Sequence, residues 1–156
     1  MGSNKANKSA SHGRIVNEMK LKLPSYSVNE SAARAIIGAF CAQLDPAASE
    51  LADIKCAVSE AVTNCIVHAY KDTVGIIYIT VRLYESRLVS IEIRDRGRGI
   101  EDVRLARQPL YTTDAENERS GMGFTVMESF TDRLQVSSRV GKGTSVVMYK
   151  KLEGRR

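Results

Sequence analysis

The chain has 156 residues, 43% of them hydrophobic, which suits one globular domain with a real core. No apolar run approaches the roughly 18 residues a spanning helix needs, and no apolar signal segment opens the chain, so no membrane partner is expected. The formal charge of +5 raises nucleic acid as a partner, but Lys5, Lys8 and Arg14 against Glu18 place +2 of it in the first eighteen residues. The other charges are interspersed in sign and no basic stripe with aromatic partners is visible, so direct nucleic-acid binding is set aside.

The opening "MGSNKANKSASHG" is polar, small and aperiodic. Residues 1–16 are read as a disordered leader or an expression remnant, and 17–152 as the folded domain. "EMKLKLP" alternates at Met19, Leu21 and Leu23 and stops at Pro24, a short edge strand. "SVNESAARAIIGAFCAQL" has helical spacing, with Ser27 or Asn29 to cap it and Asp45-Pro46 to end it. A longer helix is expected from about Glu50 to Tyr70. Two strands follow, about Ile76–Tyr84 and Leu88–Arg94, joined by a turn at Glu85-Ser86-Arg87. After "RDRGRGI" comes a weakly patterned segment, "DVRLARQPLYTTDAENERSG", with room for one helical turn. A short helix "GFTVMESF" then leads into two strands, "RLQVSSRVGKGTSVVMYKK". The order β-α-α-β-β-α-β-β predicts an α+β fold: a mostly antiparallel sheet with helices on one face and solvent on the other. Cys41, Cys56 and Cys65 sit in apolar helical patterns with no CxxC spacing, which predicts three buried free thiols in a reducing cytoplasm.

Three features resist a purely structural reading. Glu60, Asn64 and His68 follow at i,i+4 on the long helix, among Val58, Ala61, Val62, Cys65 and Ile66. Solvent-facing positions elsewhere use Lys, Glu and Asp, whereas Asn is a poor helix former and a good oxygen ligand for a hard cation. An acid one turn away supplies a proton acceptor, a pairing suited to phosphate chemistry. His68 reads as a helix-end residue capping carbonyls or packing on the sheet. Asp95, Gly97 and Gly99 interrupt a good strand, as a turn or as backbone that must approach a ligand. Gly121 and Gly123 open a helix, where bare N–H groups and the dipole favour an anion. Gly141-Lys142-Gly143-Thr144 reads first as a hairpin turn. Neither a Walker loop nor a dinucleotide fingerprint is present.

The ordered set E-x-x-x-N, D-x-G-x-G and G-x-G resembles the GHKL (Bergerat) ATP-binding fold shared by gyrase B, Hsp90, MutL and the histidine kinases. The length leaves no room for transducer domains, and no phospho-acceptor histidine helix stands upstream, so the stand-alone branch is expected. "NESAARAIIGAFCAQLDP", "VSEAVTNCIVHAY", "ARQPLYTT" and "ERSGMGFTVMESF" resemble the SpoIIAB family, the anti-sigma-F factors and protein-serine kinases of endospore formers, from about Asn17 to Lys151. The resemblance implies a two-layer α/β sandwich, ATP and Mg²⁺ as cofactors, and a homodimer. Its partners would be a sigma factor of RNA polymerase and an anti-anti-sigma factor of the SpoIIAA (STAS) type, phosphorylated on serine. It implies Glu60 as general base and Asn64 as the Mg²⁺ ligand. Asp95 would read the adenine amine, with Gly97 and Gly99 beneath base and sugar and Thr144 on the adenine-side water network. Gly121 and Gly123 would present N–H groups to phosphates, and Arg119 would contact a γ- or partner phosphate. Arg34 is either part of the partner surface or an ordinary solvent arginine. The alternatives are a stress-response anti-sigma-B kinase of the RsbW type and a non-catalytic ATP-binding switch. Two departures stand out: the turn "KDTVG" is a residue short for the family, and Arg96 and Arg98 charge the first glycine box.

Overall fold

A computed structural model describes residues 12–109 and 123–154. In chain order the elements are β1 (Ile15–Pro24), α1 (Val28–Cys41), α2 (Ala48–Asn64), β2 (Ile76–Tyr84) and β3 (Leu88–Arg94). A single turn, α3 (Val103–Ala106), precedes α4 (Gly123–Phe130), β4 (Arg133–Arg139) and β5 (Gly143–Lys151). The strands form one antiparallel sheet in the order β1-β2-β3-β5-β4. The expected α+β architecture is therefore the observed one.

Strict alternation builds the core. Leu21, Ile79, Ile93, Val146 and Val136 stand in register across all five strands, and Met19, Val81, Ile91, Met148 and Leu134 form the next inward row. Ile37 of α1, Ile54, Val58 and Val62 of α2 and Met127 of α4 close over these rows with almost no exposure. The opposite sheet face carries Lys20, Thr80, Arg82 and Glu92, as the polar alternation predicts.

Several boundaries differ from expectation. β1 is ten residues long and begins at Ile15, inside the stretch read as leader. Ile15 is β-branched and pairs with Tyr84, the register shifts at Val16, and even His12 packs, its ring 5.0 Å from that of Tyr149 and 5.8 Å from that of Tyr84. At the other end Leu152 is buried, and the Glu50 carboxylate accepts N–H groups from Glu153 and Gly154, so packing continues beyond residue 152. Ser27 is the N-cap position of α1 but its hydroxyl makes no capping bond. The long helix starts at Ala48, where Glu50 accepts the Ala47 N–H at 2.8 Å, half of a capping box. Cys41 and Cys65 are buried, but Cys56 is exposed, because the buried stripe of α2 runs through Ile54, Ala57, Val58 and Ala61 and Cys56 falls outside it. Among the described residues, no helix is long and apolar enough to cross a membrane.

Candidate functional site

The last turn of the long helix is not α-helical. Cys65–Ala69 is a π turn, closed by the Tyr70 N–H donating to the Cys65 carbonyl at 3.0 Å. Such insertions are rare and often mark sites where a helix must present side chains differently. Here the turn carries Cys65, His68 and Ala69 onto the wall of a cavity of about 430 Å³, beside Asn64. That volume is within the range of small-molecule sites. The helix-end position expected for His68 is observed, on the cavity wall.

Asp95 follows Ile91 and Ile93 on the inward face of β3, one step past the strand's end, so alternation aims it at the helices. Its N–H donates to the Thr144 carbonyl at 2.9 Å, which continues the ladder. The residue is only 6% exposed. Oδ1 accepts N–H bonds from Gly97 at 2.9 Å and Thr144 at 3.2 Å, while Oδ2 receives the weak thiol donor of Cys65 at 3.6 Å. Burial raises the carboxyl above its ordinary range, and these three bonds oppose that rise. Burial also raises the Cys65 thiol, which keeps its proton to donate. Thr144 and Ser138, paired across β5 and β4, share a hydroxyl bond of 2.8 Å behind Asp95.

The two remaining glycines of the first box hold chain against chain. A Cβ at Gly97 would overlap the Ala69 carbonyl at the end of the π turn, and one at Gly99 would overlap the Arg139 carbonyl. Gly99 also has φ +77°, on the cavity wall. The Arg98 N–H donates to the Ala69 carbonyl at 3.1 Å and its carbonyl accepts from Gly141 at 2.8 Å, so the box is laced to both helix and hairpin.

Gly123, the first residue of α4, joins the helices at the site. A Cβ built there would stand 3.2 Å from Asn64 Oδ1 and 3.6 Å from Glu60 Oε2. Glu60 is half-buried, one turn before Asn64. The fold thus brings together Glu60, Asn64, Asp95, Gly97, Gly99, Gly123 and Thr144. Arg119 and Gly121 lie outside the described residues. Arg34 lies away from the cavity, its guanidinium 3.4 Å from both Glu30 and Ser59 on the outer surface of α1 and α2.

Sequence reasoning missed Cys65, Tyr70 and Ser138. The Tyr70 hydroxyl accepts the Arg96 N–H at 2.7 Å and donates to the Ile76 carbonyl at 2.6 Å, pinning the glycine box to β2. Ser138 receives the Ile100 N–H at 2.8 Å. At the cavity mouth Asp102 caps α3 through the Leu105 N–H, and Arg107 clasps Glu128 and the Leu134 carbonyl, fixing the segment that leaves the site. Among the described residues no three His, Cys, Asp or Glu side chains cluster to hold a metal. An ion held by one side-chain amide and by ligand oxygens, the habit of Mg²⁺ at phosphates, fits Asn64.

A family model described as histidine kinase-like ATPase domain matches residues 23–150. An anti-sigma F factor of Caldanaerobacter subterraneus subsp. tengcongensis is 58% identical over 134 residues, covering 86% of this chain and 93% of that protein. One from Thermoanaerobacter sp. (strain X514) is 55% identical with the same coverage. Among solved structures, the RsbU and RsbW domains of a Mycobacterium tuberculosis protein superpose with a TM-score of 0.65 at 20% identity, over 88% of this chain and 33% of that one. The last is a likeness of fold.

Proposed function

Because the chain belongs to the anti-sigma F factor family and carries that family's histidine kinase-like ATPase domain, we propose that it is an ATP-dependent partner switch and serine kinase. In this reading it holds a sigma-F-type factor when ATP is bound, as a homodimer. It then phosphorylates a SpoIIAA-type antagonist on serine. The observation that carries the proposal is the convergence of Glu60 and Asn64 on Gly123, beside a cavity that Asn64, Gly123 and Asp95 all line.

The adenine lies beside Asp95, where Oδ2, bonded among the described residues only to a weak thiol donor, accepts the exocyclic amine. The phosphates lie toward the start of α4, where Gly123 lines the cavity; the family resemblance assigns Gly121 and Arg119 to the same phosphates. Asn64 would hold Mg²⁺, whose charge offsets that of the phosphates when bound. Glu60 takes the proton of the acceptor serine as its oxygen bonds to the γ-phosphorus and the bond to the β,γ-bridging oxygen breaks, releasing ADP. Arg34 belongs to the partner surface rather than to this chemistry. Loss of the γ-phosphate changes partner preference.

The test is incubation of the full chain with γ-labelled ATP and its antagonist protein. Label is expected on a serine of the antagonist, and none would overturn the kinase reading. Glu60→Ala should keep ATP and sigma binding while phosphorylation falls by about 10²–10⁴-fold. Unchanged phosphorylation would remove Glu60 as the base. Binding to a stress sigma with none to a sporulation sigma would favour the anti-sigma-B alternative.

A further inference from the structure

The open face of the sheet assembles a basic row that is scattered in sequence. Lys22, Tyr78, Arg94, Ser145 and Ser137 stand in register across β1, β2, β3, β5 and β4. Arg96 continues the outward set of β3, and Arg139 and Lys142 extend from the β4–β5 hairpin. Arg94, Arg139 and Lys142, with Ser137 and Ser145, line a groove of about 280 Å³. Among the described residues none of the five cations Lys22, Arg94, Arg96, Arg139 and Lys142 pairs with a carboxylate. Three of them crowd one ring instead: Lys22 Nζ at 5.6 Å, and the guanidinium carbons of Arg94 and Arg96 at 5.2 and 4.8 Å from the Tyr78 centroid. Cation–π contacts relieve such crowding only in part, so the row is a site of unbalanced positive charge.

We propose that this row docks an acidic, extended segment of a partner protein. Four strand spacings give it a length of about 19 Å, the reach of roughly six extended residues. Guanidinium forks and serine hydroxyls match side-chain carboxylates at several points along that length, which a single small anion would leave unused. A single-stranded nucleic acid would need an open aromatic face to stack on, and Tyr78 is already engaged by Lys22 from β1 and by Arg94 from β3. A second copy packed row against row would oppose it with like charges. The row stands on the outward side of the strands, with Thr144 common to groove and cavity, and the inference does not rest on the nucleotide reading.

The experiment measures binding of fluorescein-labelled octaglutamate to the full chain by anisotropy, against salt. Salt-weakened binding is expected, with Arg139→Gln plus Lys142→Gln reducing affinity at least about tenfold. Arg14→Gln plus Lys55→Gln, an equal change of charge elsewhere, should alter it less than about twofold. Equal losses in the two pairs would reduce the effect to net charge and overturn the proposal, as would no binding at all. Tighter binding of a DNA octanucleotide that the hairpin variants abolish would assign the row to nucleic acid. A change of sedimentation coefficient in those variants, with octaglutamate binding unchanged, would assign it to self-association.

Discussion

Asp95 is a carboxyl whose charged form the fold disfavours. Burial raises its carboxyl above the ordinary range, against two backbone N–H groups and one thiol. A carboxyl raised in the folded state contributes its stability below the unfolded value and loses it as pH climbs through the folded value. At neutral pH the ionised form therefore costs stability, a strain typical of functional positions. Asp95→Asn keeps an oxygen for the Gly97 and Thr144 N–H groups and turns its amide toward Cys65. We expect this variant to melt higher than wild type at pH 7, with the gain vanishing below the usual carboxylate range. ATP affinity should fall by about 10–100-fold, the loss of a charged acceptor. Calorimetric melts across pH and a nucleotide titration check both, and a lower melting temperature at pH 7 would show that the carboxylate is not strained. The same alternation explains the arginines of the glycine box. Asp95 continues the inward set of β3, and Arg94 and Arg96 the outward one, so Arg96 faces Tyr78 on the open face and not the cavity. Arg98, past the end of the pairing, lines the cavity.

The glycine box and the π turn form one joint. Gly97 packs on the Ala69 carbonyl and Arg98 donates to it, so the end of α2 positions the loop after β3. Gly97→Ala must push these apart. It should lower stability by about 1–3 kcal/mol and ATP affinity at least tenfold, because Asp95 and the Asn64 turn no longer share a fixed spacing. Urea unfolding and nucleotide titration read the two effects; intact affinity would show that the joint does not position the site. Helices and strands were legible because apolar periodicity repeats through Ile77–Leu83, Leu88–Ile93 and Ile54–Val62. The π turn was not, since a single i,i+5 bond leaves no periodic trace. Nor was the start of β1, where two β-branched residues follow a polar run too closely to stand out.

The sheet divides the molecule into a chemical face and a basic face, and the core between them leaves one thiol outside. Cys41 is buried, with its thiol pushed up to about 12, and Cys65 is buried with its thiol raised, while Cys56 is exposed. Native protein should release one equivalent of chromophore with Ellman's reagent and three after denaturation, and Cys56→Ser should remove the fast equivalent. Two fast equivalents in wild type would mean that α2 or its π turn opens readily. The sequence alone determined the class of fold, the element order and the carboxylate–amide–glycine set, because each rests on local spacing along one element. Tertiary pairing decided the rest. Glu60 and Asn64 meet Gly123 only where α4 closes on α2, and Cys65 meets Asp95 only because a π turn carries it past the helical register. The basic row exists only because strand order places residues 22, 94 and 142 on one surface, and no periodicity along a chain encodes a row that runs across it.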